Sequence, residues 1–202
     1  MPYLASMGED LYGRARDAVE RGEADRAREI IARAYGARPE DPAIRELYAG
    51  LFLAHAIRLA AEAREARRKD IVRRGIGYDE EFQDSPEVAK AFDEALAAHD
   101  AVLRADSGHE KALITKAALL FRRDREAGRA EALEILRALL AAHPDHRQVA
   151  YAIKKIEKPC PRCSDTGFCP HCAGKGHRRF LRMDRVCETC HGQGICLACG
   201  VL

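Results

Sequence analysis

The chain has 202 residues, enough for one or two domains, and its 34 Lys/Arg against 32 Asp/Glu leave a net charge of +2. So balanced a surface excludes a global field that would draw the molecule to nucleic acid or an anionic membrane. No tryptophan is present, Ala and Arg are plentiful, and strand-forming residues are sparse over the first 157 positions. That composition favours an α-helical body.

The first ten residues lack a basic segment followed by an apolar run, so no signal peptide is expected. No stretch approaches the roughly 18 uninterrupted apolar residues of a membrane span, and no membrane partner is expected. The expectation is a soluble, cytoplasmic protein, with cysteines that hold metal rather than form disulfides.

Residues 8–39 carry a helical-hairpin pattern. Leu11, Ala15 and Ala18 repeat at helical spacing, Gly22 breaks the helix, and Ala27, Ile30, Ile31 and Ala34 form a second stripe that Pro39 stops. The positions Leu11, Ala15, Ala18, Ala27, Ile31, Ala34 and Pro39 resemble a tetratricopeptide repeat, whose period is about 34 residues. Leu11 stands where that family has a large aromatic. From Asp41-Pro42 a longer helix is expected, with a stripe through Ile44, Leu47, Tyr48, Leu51 and Phe52. No turn falls where the repeat would require one, and Ala60–Arg74 reads as a solvated, charged helical extension. Tyr78–Asp84 reads as a solvated acidic loop around Asp79, Glu80, Glu81 and Asp84.

Ser85-Pro86-Glu87 begins the next helix, running to about Arg104. Glu110–Arg123 and Arg129–Ala142 form a further pair, and Asp145 is placed to cap a closing helix over 146–157. His143-Pro144-Asp145 is also the tripeptide of J-domains, but no J-domain helices flank it, and it reads as the end of a repeat helix. The expected fold is mainly α: an antiparallel, tetratricopeptide-like body over residues 1–157, followed by a small irregular or β zinc-binding module over 160–202.

All eight cysteines lie in that module, as four Cys-x-x-Cys pairs: Cys160/Cys163, Cys169/Cys172, Cys187/Cys190 and Cys196/Cys199. Two intervening residues let a tight turn aim both sulfurs at one point, and a following glycine admits the positive φ that turns amides toward them. Two such turns make a closed tetrahedral site, so eight cysteines imply two structural Zn²⁺. Spacing alone permits the first unit to share a metal with either the second or the fourth. The region resembles the DnaJ-type cysteine-rich zinc finger, Cys-x-x-Cys-x-Gly-x-Gly. Cys169–Gly176 and Cys187–Gly194 match fully, Asp165 replaces a glycine in the first unit, and Gly200 directly follows Cys199 in the fourth. The resemblance implies nested pairing: Cys160, Cys163, Cys196 and Cys199 in site one, and Cys169, Cys172, Cys187 and Cys190 in site two. The less regular outer units imply a looser site one.

His171, His177 and His191 are spare candidate ligands, read as solvated because eight thiolates already fill two sites. Lys175, Arg178, Arg179, Arg182 and Arg185 surround Phe180 between the second and third units, a pattern suited to a nucleic-acid or protein partner. Residues 158–202 hold seven Lys/Arg and three Asp/Glu, so this basicity also balances two four-thiolate zinc sites of formal charge −2 each. Single redox Cys-x-x-Cys motifs sit at a helix start in a βαβ setting, which is not the context here, so thiol–disulfide chemistry ranks below metal binding. No hydrolase triad or phosphate loop stands out. The expected function is non-enzymatic: a protein-interaction adaptor, chaperone-associated by resemblance, that binds a partner or unfolded polypeptide. An RNA- or DNA-binding adaptor is the alternative.

Overall fold

The fold comes from a computed structural model, which describes residues 2–74, 83–164, 166–181 and 183–198, those of 2–9 for backbone only. Asp79, Glu80, Glu81, Asp165, Arg182, Cys199 and Gly200 lie outside them.

The first two helices, α1 (Pro2–Glu20) and α2 (Ala24–Ala37), form a hairpin. Gly22, at φ 75°, lets the Glu23 amide bond the Ala18 carbonyl and its own amide bond that of Val19, a Schellman closure. Ala15, Ala18, Ala27, Ile31 and Ala34 are fully buried between the two helices, with Ile44 of the next. Small residues at these positions allow close helix approach.

Helix α3 (Pro42–Arg74) runs for 33 residues. Asp41 caps it, its Oδ1 accepting from the amides of Ala43 and Ile44 at 3.0 and 3.2 Å. Its first half closes the α1–α2 core, where Tyr35, Tyr48 and Phe52 stack at 4.4 and 4.1 Å between ring centroids. Its second half packs along α4 (Pro86–Ala105). There a second core begins, shared with α5 (Glu110–Arg123), α6 (Ala127–Ala142) and α7 (Arg147–Glu157) and built on Phe92, Phe121, Leu136, Val149 and Ile156. No helix among the described residues is long and apolar enough to cross a membrane.

The expectation of a solvated extension over Ala60–Arg74 is corrected. Ala63, Arg67, Asp70 and Ile71 are buried. Arg67 lies over the Phe92 ring at 4.1 Å, grips Asp84 at 2.7 and 2.5 Å, and donates to the carbonyls of Arg122 and Arg123. A charged side chain can be buried where a fork of donors is fully satisfied, which a count of apolar residues does not detect. By the same contact Asp84 is not a solvated loop residue. Asp70 is held in its charged form, burial opposing and Arg73 and Arg74 prevailing.

Three inter-helix connections share one turn. The amides of Asp41, His109 and His146 bond the carbonyls of Arg38, Asp106 and His143. The second turn lies 68 residues after the first, about two periods of a 34-residue repeat, and α3 runs through the place of the missing one. His143-Pro144-Asp145 belongs to the third turn, with the His143 Nε2 3.1 Å from Glu110. The cap of α7 is His146, whose ring accepts from the Val149 amide, rather than Asp145. It takes the place that His109 takes on α5, because the turn puts its fourth residue at the helix start.

Helices α5 and α6 touch at Gly128, where an added Cβ would overlap the Leu120 carbonyl. Gly128→Ala is expected to destabilise the helical body by about 1–3 kcal/mol, as overpacking against backbone does, despite alanine's better helix propensity. Chemical denaturation followed by circular dichroism measures this, and an unchanged or raised midpoint would contradict the packing.

Candidate metal centre

Each of the first three Cys-x-x-Cys units folds as a knuckle. The residue after the second cysteine, Ser164, Ala173 or His191, takes φ between 46° and 51°, and Gly167, Gly176 and Gly194 follow with φ of 71–78°. The glycines after each second cysteine take the positive φ expected of them, Gly174 and Gly192 included, and the non-glycine residue before them shares it. The double reversal aims backbone amides at sulfur: Gly176 donates to the Cys172 Sγ at 3.2 Å and Gly194 to the Cys190 Sγ at 3.3 Å.

The second and third knuckles pack backbone to backbone about an approximate two-fold. The Cys169 amide bonds the Gly194 carbonyl and the Cys187 amide bonds the Gly176 carbonyl, each at 2.9 Å. At Gly176 a Cβ would meet the Gly192 carbonyl, and at Gly194 the Gly174 carbonyl. Only glycine fits both places. The outer layer repeats the arrangement, with the Cys196 amide bonded to the Gly167 carbonyl and Phe168 bridged to Ile195.

This packing gathers the sulfurs of Cys169, Cys172, Cys187 and Cys190, all buried, within 4.8 Å of one another, and those of Cys160, Cys163 and Cys196 likewise. Cys199 lies outside the described residues. The grouping is therefore second unit with third and first with fourth, not first with second. The Cys169–Cys187, Cys172–Cys190 and Cys160–Cys196 sulfurs are 3.9, 3.7 and 3.9 Å apart. No described pair is a disulfide. A tetrahedron with metal–sulfur bonds of about 2.3 Å has an edge of about 3.8 Å, so these sulfurs already stand at zinc-site spacing. Two buried cysteine groups can thus hold metal ions, and zinc is compatible with both.

The electrostatics are those of a site preset for a cation. Burial pushes the Cys172 thiol up to about 12, only partly countered by the Gly176 amide. Burial also raises Cys190 and works against Cys187, but backbone and side-chain donors around Cys190 and Thr189 bring Cys187 down to about 7. Without metal, Cys187 can carry charge near neutrality while Cys172 and Cys190 keep their protons. A bound cation would replace those protons.

Strands β1 (His177–Phe180) and β2 (Met183–Val186) form the hairpin between the middle knuckles. Arg178 stands opposite Arg185, Arg179 opposite Asp184, and Phe180 opposite Met183. Lys175 lies in the second knuckle, half-buried, and Arg182 lies outside the described residues. His171 is exposed and takes a hydrogen bond from Arg178 at 2.7 Å, and His177 lies in β1, so neither joins a sulfur cluster.

Sequence reasoning missed the seat of the module on the body. Ile71 of α3 and Phe168 both lie against Gly174, and Arg125 lies against Gly167. Lys155 of α7 donates to the Ala198 carbonyl at 2.6 Å. A cavity of about 50 Å³ remains between Arg64, Arg67, Arg122 and Arg125 on one side and Phe168 and Ile195 on the other. The Ile71-Val72 pair in a charged run was the legible hint.

Comparison with models of known families, with curated proteins and with solved structures yields no match.

Two outcomes follow. Gly194→Ala should cut the metal bound per chain to half or less, measured by metal analysis after dialysis, because the inner knuckles cannot approach and the outer ones close over them. Metal affinity at site two should fall as pH falls. Cys172 and Cys190 hold protons at neutral pH, and each displaced proton changes affinity about tenfold per pH unit, so these two alone give at least about 100-fold between pH 7.5 and 6.5. Chelator competition at the two values measures it, and a pH-independent affinity would contradict the assignment.

Proposed function

We propose that the chain is a non-enzymatic interaction adaptor: a tetratricopeptide-like body holding a partner polypeptide, joined to a two-zinc module of DnaJ type that holds a second one. The observation that carries this reading is a groove of about 1150 Å³ across the first repeat unit. It runs between Tyr12 and Arg16 of α1, Arg45 and Leu51 of α3, and the turn at Asp106–His109. Its dimensions suit a short peptide or a partner helix. Its walls mix cations, carboxylates and apolar side chains, which favours recognition of an amphipathic segment over a small metabolite.

The zincs have a structural role in this reading. Four buried sulfurs close site two and leave no position for a substrate, and the all-sulfur set suits zinc in a reducing cytoplasm. Cys199 would complete site one. The shared geometry of the three inter-helix turns, the first two of them 68 residues apart, and the glycine knuckles support the two family resemblances.

A pull-down with metal-loaded full chain tests the proposal. Arg16→Glu with Arg45→Glu should lose the groove partner while the zinc content stays at two per chain. Recovery of the same proteins by this variant would overturn the groove reading. Chelation is expected to expose residues 160–198 to protease and leave the helical circular-dichroism signal in place, since each structural zinc supplies roughly 10–16 kcal/mol of folding free energy to such a module.

A further inference from the structure

The β1–β2 hairpin is built against its own solubility. Phe180, Leu181, Met183 and Val186 are all exposed, half of the large apolar side chains left exposed among the described residues. Leu181 sits at the tip, 77% exposed and at φ 47°. Two-residue hairpin turns favour glycine, asparagine or aspartate there, and a leucine in that conformation is strained. Nothing described in the chain covers it, so its side chain is not held for internal packing.

Apolar side chains are concentrated at the far end of the hairpin, where Phe180, Leu181 and Met183 stand, with Arg182 between the last two in sequence. The next rung is Arg179 opposite Asp184, and the one behind it is Arg178 opposite Arg185. Two like charges directly opposite each other destabilise a hairpin unless an anion lies nearby. At about 3.3 Å per residue, the Arg178–Arg185 rung stands about 7 Å behind the Phe180–Met183 rung. That is the depth at which a surface-bound element, its apolar end among acyl chains, meets the headgroups, about 5–10 Å.

We propose that this hairpin is a membrane-surface anchor: Phe180, Leu181 and Met183 enter the outer acyl region of a bilayer, and Arg178, Arg179 and Arg185 meet anionic headgroups. The absence of a spanning helix bears on crossing a bilayer, not on resting upon one. Two other occupants fit less well. A nucleic-acid strand would use the arginines, but the single aromatic ring, Phe180, is already covered by Arg185 at 5.4 Å, and Leu181 and Met183 offer bases no stacking face. A folded protein would need a cleft for this convex end, whereas a bilayer accepts any convex apolar tip. The anchor is independent of the groove in the helical body, and either can fail without the other. One hairpin gives weak, reversible binding, strengthened by anionic lipid.

The test is co-sedimentation of metal-loaded full chain with vesicles of phosphatidylcholine alone and of phosphatidylcholine with 30% (mole fraction, about) phosphatidylserine. Binding is expected with the anionic vesicles, little with the neutral ones, and less at high salt. Leu181→Gly is the informative variant: glycine suits the positive φ, so the hairpin is relieved rather than broken, yet affinity should drop at least about tenfold with the loss of the apolar tip. Arg178→Gln with Arg185→Gln leaves the turn untouched and should lower affinity about 25-fold, about fivefold per cation. Zinc content is measured on each variant to show that the knuckles persist. No binding to anionic vesicles, or equal binding by wild type and both variants, overturns the proposal. So does tight binding of a single-stranded oligonucleotide that is lost in the arginine variant, kept in Leu181→Gly and unaccompanied by vesicle binding.

Discussion

The exchange of backbone hydrogen bonds between the two inner knuckles is the constraint on which the module depends. Cys169 to Gly194 and Cys187 to Gly176 bring two turns into contact that have no side chains at their meeting point. Once they meet, the four sulfurs have nowhere to point except toward one another. The hairpin between them is set in register by the same contact, since the Cys187 amide continues the ladder from the His177–Val186 pair. The outer knuckles then close over the inner ones through Cys196 and Gly167. A module with so few apolar side chains thereby acquires an interior made of sulfur and backbone, in which a bound metal would supply the cohesion that a hydrophobic core supplies elsewhere.

Helix α3 performs the corresponding task for the body. Its 33 residues serve two cores in succession: Ile44 and Leu47 complete the first hairpin, and Ala63 joins Phe92 in the second. A repeat protein of regular period would place a turn between these jobs. Running the helix through fixes the two cores on one rod, and the rod's last turns reach the cysteine module at Ile71. Arg67 ties this end down by holding Asp84 before α4 and the carbonyl end of α5 at once. Truncating such a residue would leave a carboxylate and two carbonyls short of donors in a poorly hydrated place, a far larger loss than any surface ion pair represents.

Much of this was legible in the sequence, for identifiable reasons. Helix ends were readable where a local device makes them, as at Gly22, Asp41-Pro42 and Ser85-Pro86. The cysteine pairs were readable because metal chemistry demands a spacing that chance seldom repeats four times. What escaped was non-local. Arg67 and Asp70 belong to a run that looks solvated, and their burial follows from partners at 84, 122 and 123 or on the next helical turn, which no periodicity reveals. The pairing of knuckles was open from spacing and came only by resemblance, because it is decided by which glycines can touch. His109 and His146 were passed over as caps because their role comes from the turn before them.

The charge pattern links these parts. The module's own cations exceed its carboxylates by four, yet they are not spread over it. Arg178, Arg179 and Arg185 stand on the hairpin, away from the body, while Arg64, Arg67, Arg122 and Arg125 face the module from α3 and the α5–α6 connection. Under the two-zinc reading each sulfur cluster has a formal charge of −2. Such clusters would help hold the module to the arginines of its seat electrostatically, beside the contacts of Ile71 and Phe168 with Gly174. In that reading loss of metal would remove most of the negative charge and weaken the seat, so that metal occupancy and the attachment of module to body would be coupled.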